Sequence, residues 1–307
     1  MSRVQVWAAQ TRANFLLLAV FLVVIGLAFA AFHDSTAFNW FHAILIMAGA
    51  ISAHISVNLF NEYSDFQTKI DFNTDRTPFS GGSGMLPSGH TKPKQVSIAA
   101  WLTLLFAAAI GVYFTIVSHY SIIIIALIGA IAITLYTPLL SKLLLGEIFA
   151  GLALGSLVII GAYIAMNGQP GMSLNQVLPL EVVLVSISPG ILTALLLLLN
   201  EFPDAKADKA GGRRHLVIVL GKKNAAKFYA ANMLLTFGII ALLPIFGITS
   251  YWLYLALLPF PVALKASLTA IKHYDDFEGL LPAMGMNVMV VLGTDFLIAT
   301  AVIIQLF

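Results

Sequence analysis

The sequence contains no cysteine and very little charge, and these two deficits bound what the protein can be. Without cysteine, disulfide bonds and thiolate chemistry are excluded. Only 10% of the 307 residues are charged, whereas 60% are hydrophobic, and the mean hydropathy is +0.94. Ordinary soluble domains carry about 25% charged residues. The composition therefore indicates a polytopic membrane protein.

Nine apolar segments are long enough to cross a bilayer as helices. They lie at about 15–32, 38–60, 96–117, 120–140, 147–166, 177–200, 224–246, 249–271 and 286–306. The expected fold class is all-α, with nine transmembrane helices that form a single membrane domain over residues 1–307.

Basic residues are absent from one set of connections, and this asymmetry predicts the orientation. Lys and Arg mark the cytoplasmic ends of membrane spans. If the N-terminus is cytoplasmic, all sixteen Lys and Arg residues fall on the same side of the nine helices. The two longest connections on that side, at about 61–95 and 201–223, hold most of the charge. We therefore predict an inner, cytoplasmic-type membrane and a functional site that faces the cytoplasm.

A short motif occurs twice, once at the start of each of these two cytoplasmic connections. Residues 61–65 read NEYSD and residues 200–204 read NEFPD, at the inner ends of predicted helices 2 and 6. The two copies occupy equivalent places in a four-helix period. Helices 1–4 and 5–8 are therefore candidates for an internal repeat, to which helix 9 is added.

Polar side chains form a stripe at the first copy of the motif. Asn58, Asn61 and Asp65 are three and four residues apart, so they share one face of a helix. Asp71 follows six residues after Asp65 and can join that face only if the helix ends or bends nearby. The sequence thus predicts a cluster of oxygen ligands at the inner end of helix 2.

The second copy of the motif has a comparable stripe. Asn200, Asp204 and Asp208 step by four residues along one helical face. Pro203 disfavours helical geometry at Phe202 and suits the first turn of a new helix, so we expect a break there.

Carboxylates at the inner rim of a membrane protein are costly unless a cation compensates them. Magnesium takes oxygen ligands and is commonly shared between carboxylates and a substrate phosphate. The two connections supply basic residues that could bind a diphosphate, namely Lys69, Arg76, Lys206, Lys209, Arg213 and Arg214, and Lys142 at the end of helix 4 adds another. The glycine-rich linker 75–89 is either an anion cradle built from backbone amides or a flexible connection.

The first motif resembles that of the UbiA superfamily of intramembrane prenyltransferases, which have an NDxxD-type motif with a further Asp. Asn61, Asp65 and Asp71 match it, and Glu62 stands where the family usually has Asp. The step from Asp65 to Asp71 is similar to that of the menaquinone branch, the 1,4-dihydroxy-2-naphthoate prenyltransferases.

The rest of the chain agrees with this resemblance. Asp204, Asp208 and Gly212 match the second family motif, DxxxDxxxG. The segment RRHLVIVLG at 213–221 is similar to the ending of the same branch, except that His215 replaces the usual Thr. In LYTPLLSKLLLGE at 135–147, Tyr136, Lys142, Gly146 and Glu147 also fall at familiar places.

The resemblance implies magnesium-dependent transfer of a polyprenyl group from polyprenyl diphosphate to an aromatic acceptor within the lipid bilayer. The expected acceptor is 1,4-dihydroxy-2-naphthoate, in menaquinone biosynthesis. The resemblance implies two Mg²⁺ ions, with ligands Asn61, Asp65, Asp71, Asn200, Asp204 and Asp208. The four aspartates of that set are the implied catalytic residues. The residues implied to complete the grip on the diphosphate are Arg12, Arg76, Tyr136, Lys142 and Arg213.

Two other functions stay open on sequence grounds. One is a related prenyltransferase that uses 4-hydroxybenzoate, homogentisate, a chlorin or a glycerol phosphate lipid, and the other is a membrane transporter with repeated halves. Nucleic acid is not an expected partner, because topology and diphosphate binding account for the basic residues. Glu181 and Asp295 are ionisable groups within predicted spans. We expect Glu181 to reach the outer interface and Asp295 to lie deeper.

Overall fold

The computed structural model describes residues 1–74 and 76–307, and the described residues form helices and connections without any β-strand. The predicted all-α fold class is confirmed. Asp75, the first residue of the glycine-rich linker, lies outside the described residues.

The helices of the described residues are labelled here in chain order. They are α1 (Arg3–Gln10), α2 (Leu16–His33), α3 (Trp40–Gln67), α4 (Pro93–Val117), α5 (Ser121–Leu135), α6 (Gly146–Gly151), α7 (Leu157–Asn167), α8 (Leu174–Val177), α9 (Leu180–Ala210), α10 (Leu216–Leu220), α11 (Lys222–Ile245), α12 (Phe260–Lys272) and α13 (Phe277–Ile303). A π-helical turn, Leu152–Ser156, joins α6 to α7.

Eight helical segments among the described residues are long and apolar enough to cross a membrane. They are Ala13–His33, Trp40–Gln67, Pro93–Val117, Gly146–Asn167, Leu180–Ala210, Lys222–Ile245, Tyr251–Lys272 and Phe277–Leu306. The remaining predicted span, 120–140, contains α5, which is apolar but has 15 residues. A helix of that length is about 22 Å long, shorter than the bilayer core of about 30 Å. The protein is an integral membrane protein, and the count of nine spans stays a prediction.

Helix α9 lies at the centre of the bundle and packs against α6, α7, α11 and α13. Its contact with the segment Gly146–Asn167 depends on small residues. A Cβ atom added to Gly155 would come within 2.7 Å of the Gly190 Cα, and one added to Gly190 would come within 2.3 Å of Ser156 Oγ. The two backbones therefore approach each other closely, and this contact holds α9 in place.

Helix α4 lies at the periphery and carries the clearest lipid-facing surface. Leu102, Leu105, Phe106 and Ile116 are exposed large apolar side chains on this helix. A contiguous apolar face of this kind is unfavourable in water and favourable against lipid. The exposed face of α4 therefore supports insertion of the bundle in a bilayer.

The two motifs lie within helices, not at the start of loops as we expected. Helix α3 continues to Gln67 and α9 continues to Ala210, beyond the predicted span ends at 60 and 200. The expected break at Pro203 is wrong, because α9 runs through it without interruption. An interior proline costs about 3 kcal/mol, and we attribute its tolerance to the packing of α9 against four neighbouring segments.

Candidate active site

A polar cavity lies where the C-terminal turns of α3 and α9 meet. Nine of the eleven predicted site residues line it: Arg12, Asn61, Asp65, Asp71, Tyr136, Asn200, Asp204, Asp208 and Arg213. All six predicted metal ligands are among these nine residues. The structure thus brings residues from both copies of the motif to one place.

The other two predicted residues, Arg76 and Lys142, do not line the cavity and are exposed. Arg76 Nη2 donates a hydrogen bond to the backbone carbonyl oxygen of Asp71 at 2.9 Å, so it supports the chain beside the cavity. Lys142 ends a short 3₁₀ turn, Leu140–Lys142. Their contact with a diphosphate stays a prediction.

Asp71 reaches the cavity because α3 ends shortly before it. The helix stops at Gln67, and Lys69 adopts a left-handed conformation with φ 61°. A 3₁₀ turn, Ile70–Phe72, then returns the chain toward the cavity, where Asp71 is 3% exposed. The sequence required the helix to end or bend before Asp71, and the structure meets that condition.

The two polar stripes differ in how many of their members face the cavity. Asn200, Asp204 and Asp208 all line it from consecutive turns of α9. Asn61 also lines it, and its Oδ1 accepts a hydrogen bond from Thr137 Oγ1 at 2.6 Å. Asn58 Nδ2 instead donates to the backbone carbonyl oxygen of Thr11 at 2.9 Å, so it fixes the turn between α1 and α2.

Arg213 connects the two motifs directly. Its Nη1 donates to Asp208 Oδ1 at 2.8 Å, and its Nη2 forms an ion pair with Asp65 Oδ1. Burial alone would lower the pKa of Arg213, but the Asp65 and Asp208 carboxylates raise it above its ordinary value. The guanidinium is therefore a permanent positive charge between one aspartate of each motif.

The glycine-rich loop covers one side of the cavity. The backbone N–H of Gly81 donates to Asp204 Oδ2 at 3.2 Å, and the N–H of Ser83 donates to Glu62 Oε1 at 2.6 Å. Gly82 between them has φ +69°, and an added Cβ would lie 2.8 Å from Asp71 Oδ1. Two amides of this loop thus bind protein carboxylates, which explains how Glu62 can serve as an anchor for the loop.

Several oxygens in the cavity wall are buried without a hydrogen-bond partner among the described residues. Among the predicted metal ligands they are Asp71 Oδ2, Asn200 Oδ1 and Asp204 Oδ1. Burial, together with the negative charges of Asp65 and Glu62, raises the pKa of Asp71 to about 8. Buried carboxylate and amide oxygens that lack a partner and are close to other carboxylates suit a hard divalent cation such as Mg²⁺.

Tyr136 lines the polar cavity and also a neighbouring apolar one. The apolar cavity is bounded mainly by small and aliphatic side chains of α3, α5 and the segment Gly146–Asn167. It shares Ala50, Ala53, Gly129 and Ile133 with a wider apolar groove that extends toward α4. A polar compartment and an apolar channel therefore meet at one tyrosine.

Three functional candidates near the cavity were absent from the predicted site. Glu201 and His215 line the cavity, and Glu147 lies beside them. Glu201 follows Asn200 in the second motif, and His215 departs from the family pattern. These three residues lie on elements that are far apart in the sequence, so no pattern of residue spacing could have predicted that they meet.

The two acids that we singled out within the spans have different surroundings. Glu181 Oε2 is 3.1 Å from His33 Nε2, and both side chains are partly exposed. Asp295 is fully buried, and among the described residues neither of its carboxylate oxygens has a hydrogen-bond partner. Both observations agree with the expected difference in depth.

Comparison with known proteins links this arrangement to one family. A sequence model of the UbiA prenyltransferase family matches residues 19–279. The 1,4-dihydroxy-2-naphthoate octaprenyltransferase of Bacillus subtilis (strain 168) is 30% identical over 260 residues, which cover 83% of this chain and 79% of that protein.

Two solved structures share the fold. The apo structure of a UbiA homolog from Aeropyrum pernix K1 has a TM-score of 0.72 at 16% identity and covers 96% of this chain and 98% of that one. A UbiA homolog from Archaeoglobus fulgidus bound to DMAPP and Mg²⁺ has a TM-score of 0.60 at 14% identity, with 96% and 99% covered.

Proposed function

Since the chain belongs to the UbiA prenyltransferase family, we propose that it transfers a polyprenyl group from polyprenyl diphosphate to 1,4-dihydroxy-2-naphthoate in menaquinone biosynthesis. The observation that carries the proposal is the polar cavity in which both motifs meet beside an apolar channel. The choice of acceptor rests on the Bacillus subtilis relative and on the step from Asp65 to Asp71.

We propose that the six Asn and Asp residues of the cavity wall hold two Mg²⁺ ions, and a homolog with the same fold has been solved with Mg²⁺ bound. The unpartnered oxygens of Asp71, Asn200 and Asp204 support this assignment. When bound, the ions would neutralise charge on the diphosphate and make it a better leaving group.

Arginine side chains of this chain would bind oxygen atoms of the diphosphate. The guanidinium of Arg213 lies between Asp65 and Asp208, and it would turn to the diphosphate if these carboxylates were neutralised. Arg12 lies in the same wall, where its Nη2 donates to the Phe79 carbonyl oxygen at 3.2 Å. The bond between the allylic carbon and oxygen then breaks, and its electron pair leaves with the diphosphate.

The apolar channel would hold the isoprenoid tail and protect the allylic cation from water. Tyr136 lies at the junction, so the reactive carbon would sit beside its hydroxyl group. The acceptor ring forms a new carbon–carbon bond to the allylic cation. The bond between the ring and its carboxylate then breaks, CO₂ leaves, and the electron pair of the broken bond restores the aromatic ring. The groove that continues toward α4 would give the tail access to lipid.

We further propose that α5 is the ninth span and that the N-terminus and the active site are cytoplasmic, in an inner-type membrane. This orientation places all sixteen basic residues on one side. Predicted spans 1–4 and 5–8 would then be related halves of one membrane domain, to which the ninth span is added.

The test is prenyl transfer by purified protein in detergent, with radiolabelled polyprenyl diphosphate. Dihydroxynaphthoate and 4-hydroxybenzoate are offered separately, each with Mg²⁺ or with EDTA. We expect product from dihydroxynaphthoate alone and only with Mg²⁺. Asp65→Asn should abolish it, whereas Asp34→Asn, at an exposed position before α3, should not.

Each alternative outcome has a definite meaning. Activity with 4-hydroxybenzoate alone would replace the proposed acceptor and keep the chemistry. No turnover with either acceptor by protein that elutes as a folded species would contradict the proposed function. Metal-independent uptake of a solute by the protein in sealed vesicles, without any product, would favour the transporter alternative instead.

A further inference from the structure

Three buried side chains beside the cavity form a cluster that the proposed diphosphate chemistry does not use. Glu147 in α6, Glu201 in α9 and His215 before α10 each place one donor atom within 4.8 Å of the other two. Their exposed fractions are 4%, 7% and 3%. Three elements that are distant in sequence therefore converge on one small volume.

The polar atoms of this cluster are poorly satisfied. Among the described residues, Glu201 Oε2 and both ring nitrogens of His215 are buried without a hydrogen-bond partner. His215 Nδ1 is 3.4 Å from Glu201 Oε2, and Nε2 is 3.3 Å from Asp208 Oδ2. Both distances exceed the range of about 2.7–3.2 Å for an N–H···O hydrogen bond. Buried polar atoms in this state indicate a missing partner.

The geometry matches two ligands of one metal ion. Nitrogen and oxygen ligands lie about 2.0–2.2 Å from Zn²⁺ in a tetrahedral site, which separates them by roughly 3.4 Å. The observed separation between His215 Nδ1 and Glu201 Oε2 is 3.4 Å. Glu147 uses Oε1 to accept a hydrogen bond from the Leu216 N–H at 2.6 Å, and its second oxygen can bind an ion.

Charge balance points the same way. In the part of the chain that the structure describes, neither Glu147 nor Glu201 forms an ion pair with a Lys or Arg side chain. The nearby Arg213 is already paired with Asp65 and Asp208. Two buried carboxylates without a Lys or Arg partner are costly, and one divalent ion would neutralise both.

We propose that Glu147, Glu201 and His215 bind a divalent transition-metal ion of the Zn²⁺ or Mn²⁺ class at a site of their own, beside the proposed magnesium ligand Asp208. An imidazole beside two carboxylates selects such ions over Mg²⁺, which prefers oxygen ligands. Because Glu201 and His215 line the polar cavity, the remaining coordination position of the ion faces it. An oxygen atom of a substrate can bind there.

The experiment measures zinc binding by the full chain, purified without a histidine tag and stripped with EDTA. Excess Mg²⁺ is added first to occupy the oxygen-ligand sites, and Zn²⁺ is then titrated against a chromophoric chelator. We expect one tightly bound Zn²⁺ per chain. Because the chain has no cysteine, the visible spectrum of bound Co²⁺ would report nitrogen and oxygen ligands only.

Variants locate the bound ion. His215→Thr and Glu201→Gln should each weaken zinc binding about 100-fold or more, since loss of an outer-shell partner alone costs about 10–100-fold. His90→Thr removes an exposed histidine elsewhere and should leave binding unchanged. The two site variants cover each other if one of them fails to fold.

Two results would overturn the proposal. The first is no zinc binding by the unsubstituted protein. The second is equal zinc affinity in all variants, which would place the ion elsewhere. Neither result depends on prenyl transfer, so failure of this proposal is distinguishable from failure of the proposed function.

Discussion

Replacement of Arg213 by glutamine should lower the free energy of unfolding of the metal-free protein and increase its affinity for Mg²⁺. Arg213 pairs with Asp65 and Asp208, one aspartate from each motif. The three side chains are 15%, 16% and 3% exposed, so the pairs are shielded from solvent. Arg213→Gln leaves two buried carboxylates without their cation, and Mg²⁺ would no longer compete with the guanidinium for them.

The magnitude follows from the ion pairs. Removal of one partner from a buried salt bridge costs about 3–5 kcal/mol. If Mg²⁺ restores the lost neutralisation, most of that free energy returns when the ion binds. About 3 kcal/mol corresponds to roughly a hundredfold increase in the affinity for Mg²⁺, since about 1.4 kcal/mol is a factor of ten. Affinity for the prenyl diphosphate should fall in the same variant, because a side chain that we propose to bind the diphosphate is lost.

The assay is a Mg²⁺ titration of EDTA-treated protein by calorimetry and by thermal unfolding in detergent. Arg214→Gln is the matched control, because Arg214 is the adjacent basic residue and is exposed. We expect Mg²⁺ to raise the unfolding temperature of Arg213→Gln more than that of the unsubstituted protein or of the control. Equal or weaker Mg²⁺ binding by Arg213→Gln would refute the reasoning that Arg213 and the ions share these carboxylates.

Two further predictions concern glycines, each with a matched glycine as control. Gly82→Ala should strongly reduce prenyl transfer, because the new Cβ would lie 2.8 Å from Asp71 Oδ1. Gly89→Ala has similar backbone strain but meets no atom within 4 Å, so it should retain activity, and equal activities of the two variants would contradict this account of the loop. Gly190→Ala should lower the free energy of unfolding by about 1–3 kcal/mol through overpacking, whereas Gly238→Ala, whose Cβ meets no atom within 4 Å, should be neutral or stabilising. Thermal unfolding of both variants measures this, and an unchanged unfolding temperature for Gly190→Ala would contradict the close helix contact.

Much of the fold and of the site could be predicted from the sequence, because both depend on patterns among residues that are close together in the chain. Apolar runs located the spans, since each helix must satisfy its own backbone hydrogen bonds in lipid. The periodicity of the motifs put Asn200, Asp204 and Asp208 on one face, and the structure shows them on one cavity wall. The requirement that α3 end before Asp71 also followed from helical geometry, and the left-handed Lys69 fulfils it.

Other features depended on tertiary packing and could not be predicted from local rules. The proline rule predicted a break at Pro203, yet packing of α9 overrides it. The side chain of Asn58 shares a helical face with Asn61 but binds the turn before α2. The cluster of Glu147 and His215 requires contact between elements that no sequence spacing relates. Lys142 matches the family pattern in sequence, but its side chain is exposed and does not line the cavity.

The central claim is that both motifs hold one diphosphate together with magnesium, and a binding measurement tests it most directly. A thiodiphosphate analogue of the prenyl donor is titrated into the unsubstituted protein, Asp65→Asn, Asp204→Asn and the double variant, with Mg²⁺ and with EDTA. The account predicts that each single substitution weakens Mg²⁺-dependent binding and that the double variant loses less than the sum of the two effects, because both residues act on one ligand. Binding that is independent of Mg²⁺, or unchanged in Asp204→Asn, would contradict it.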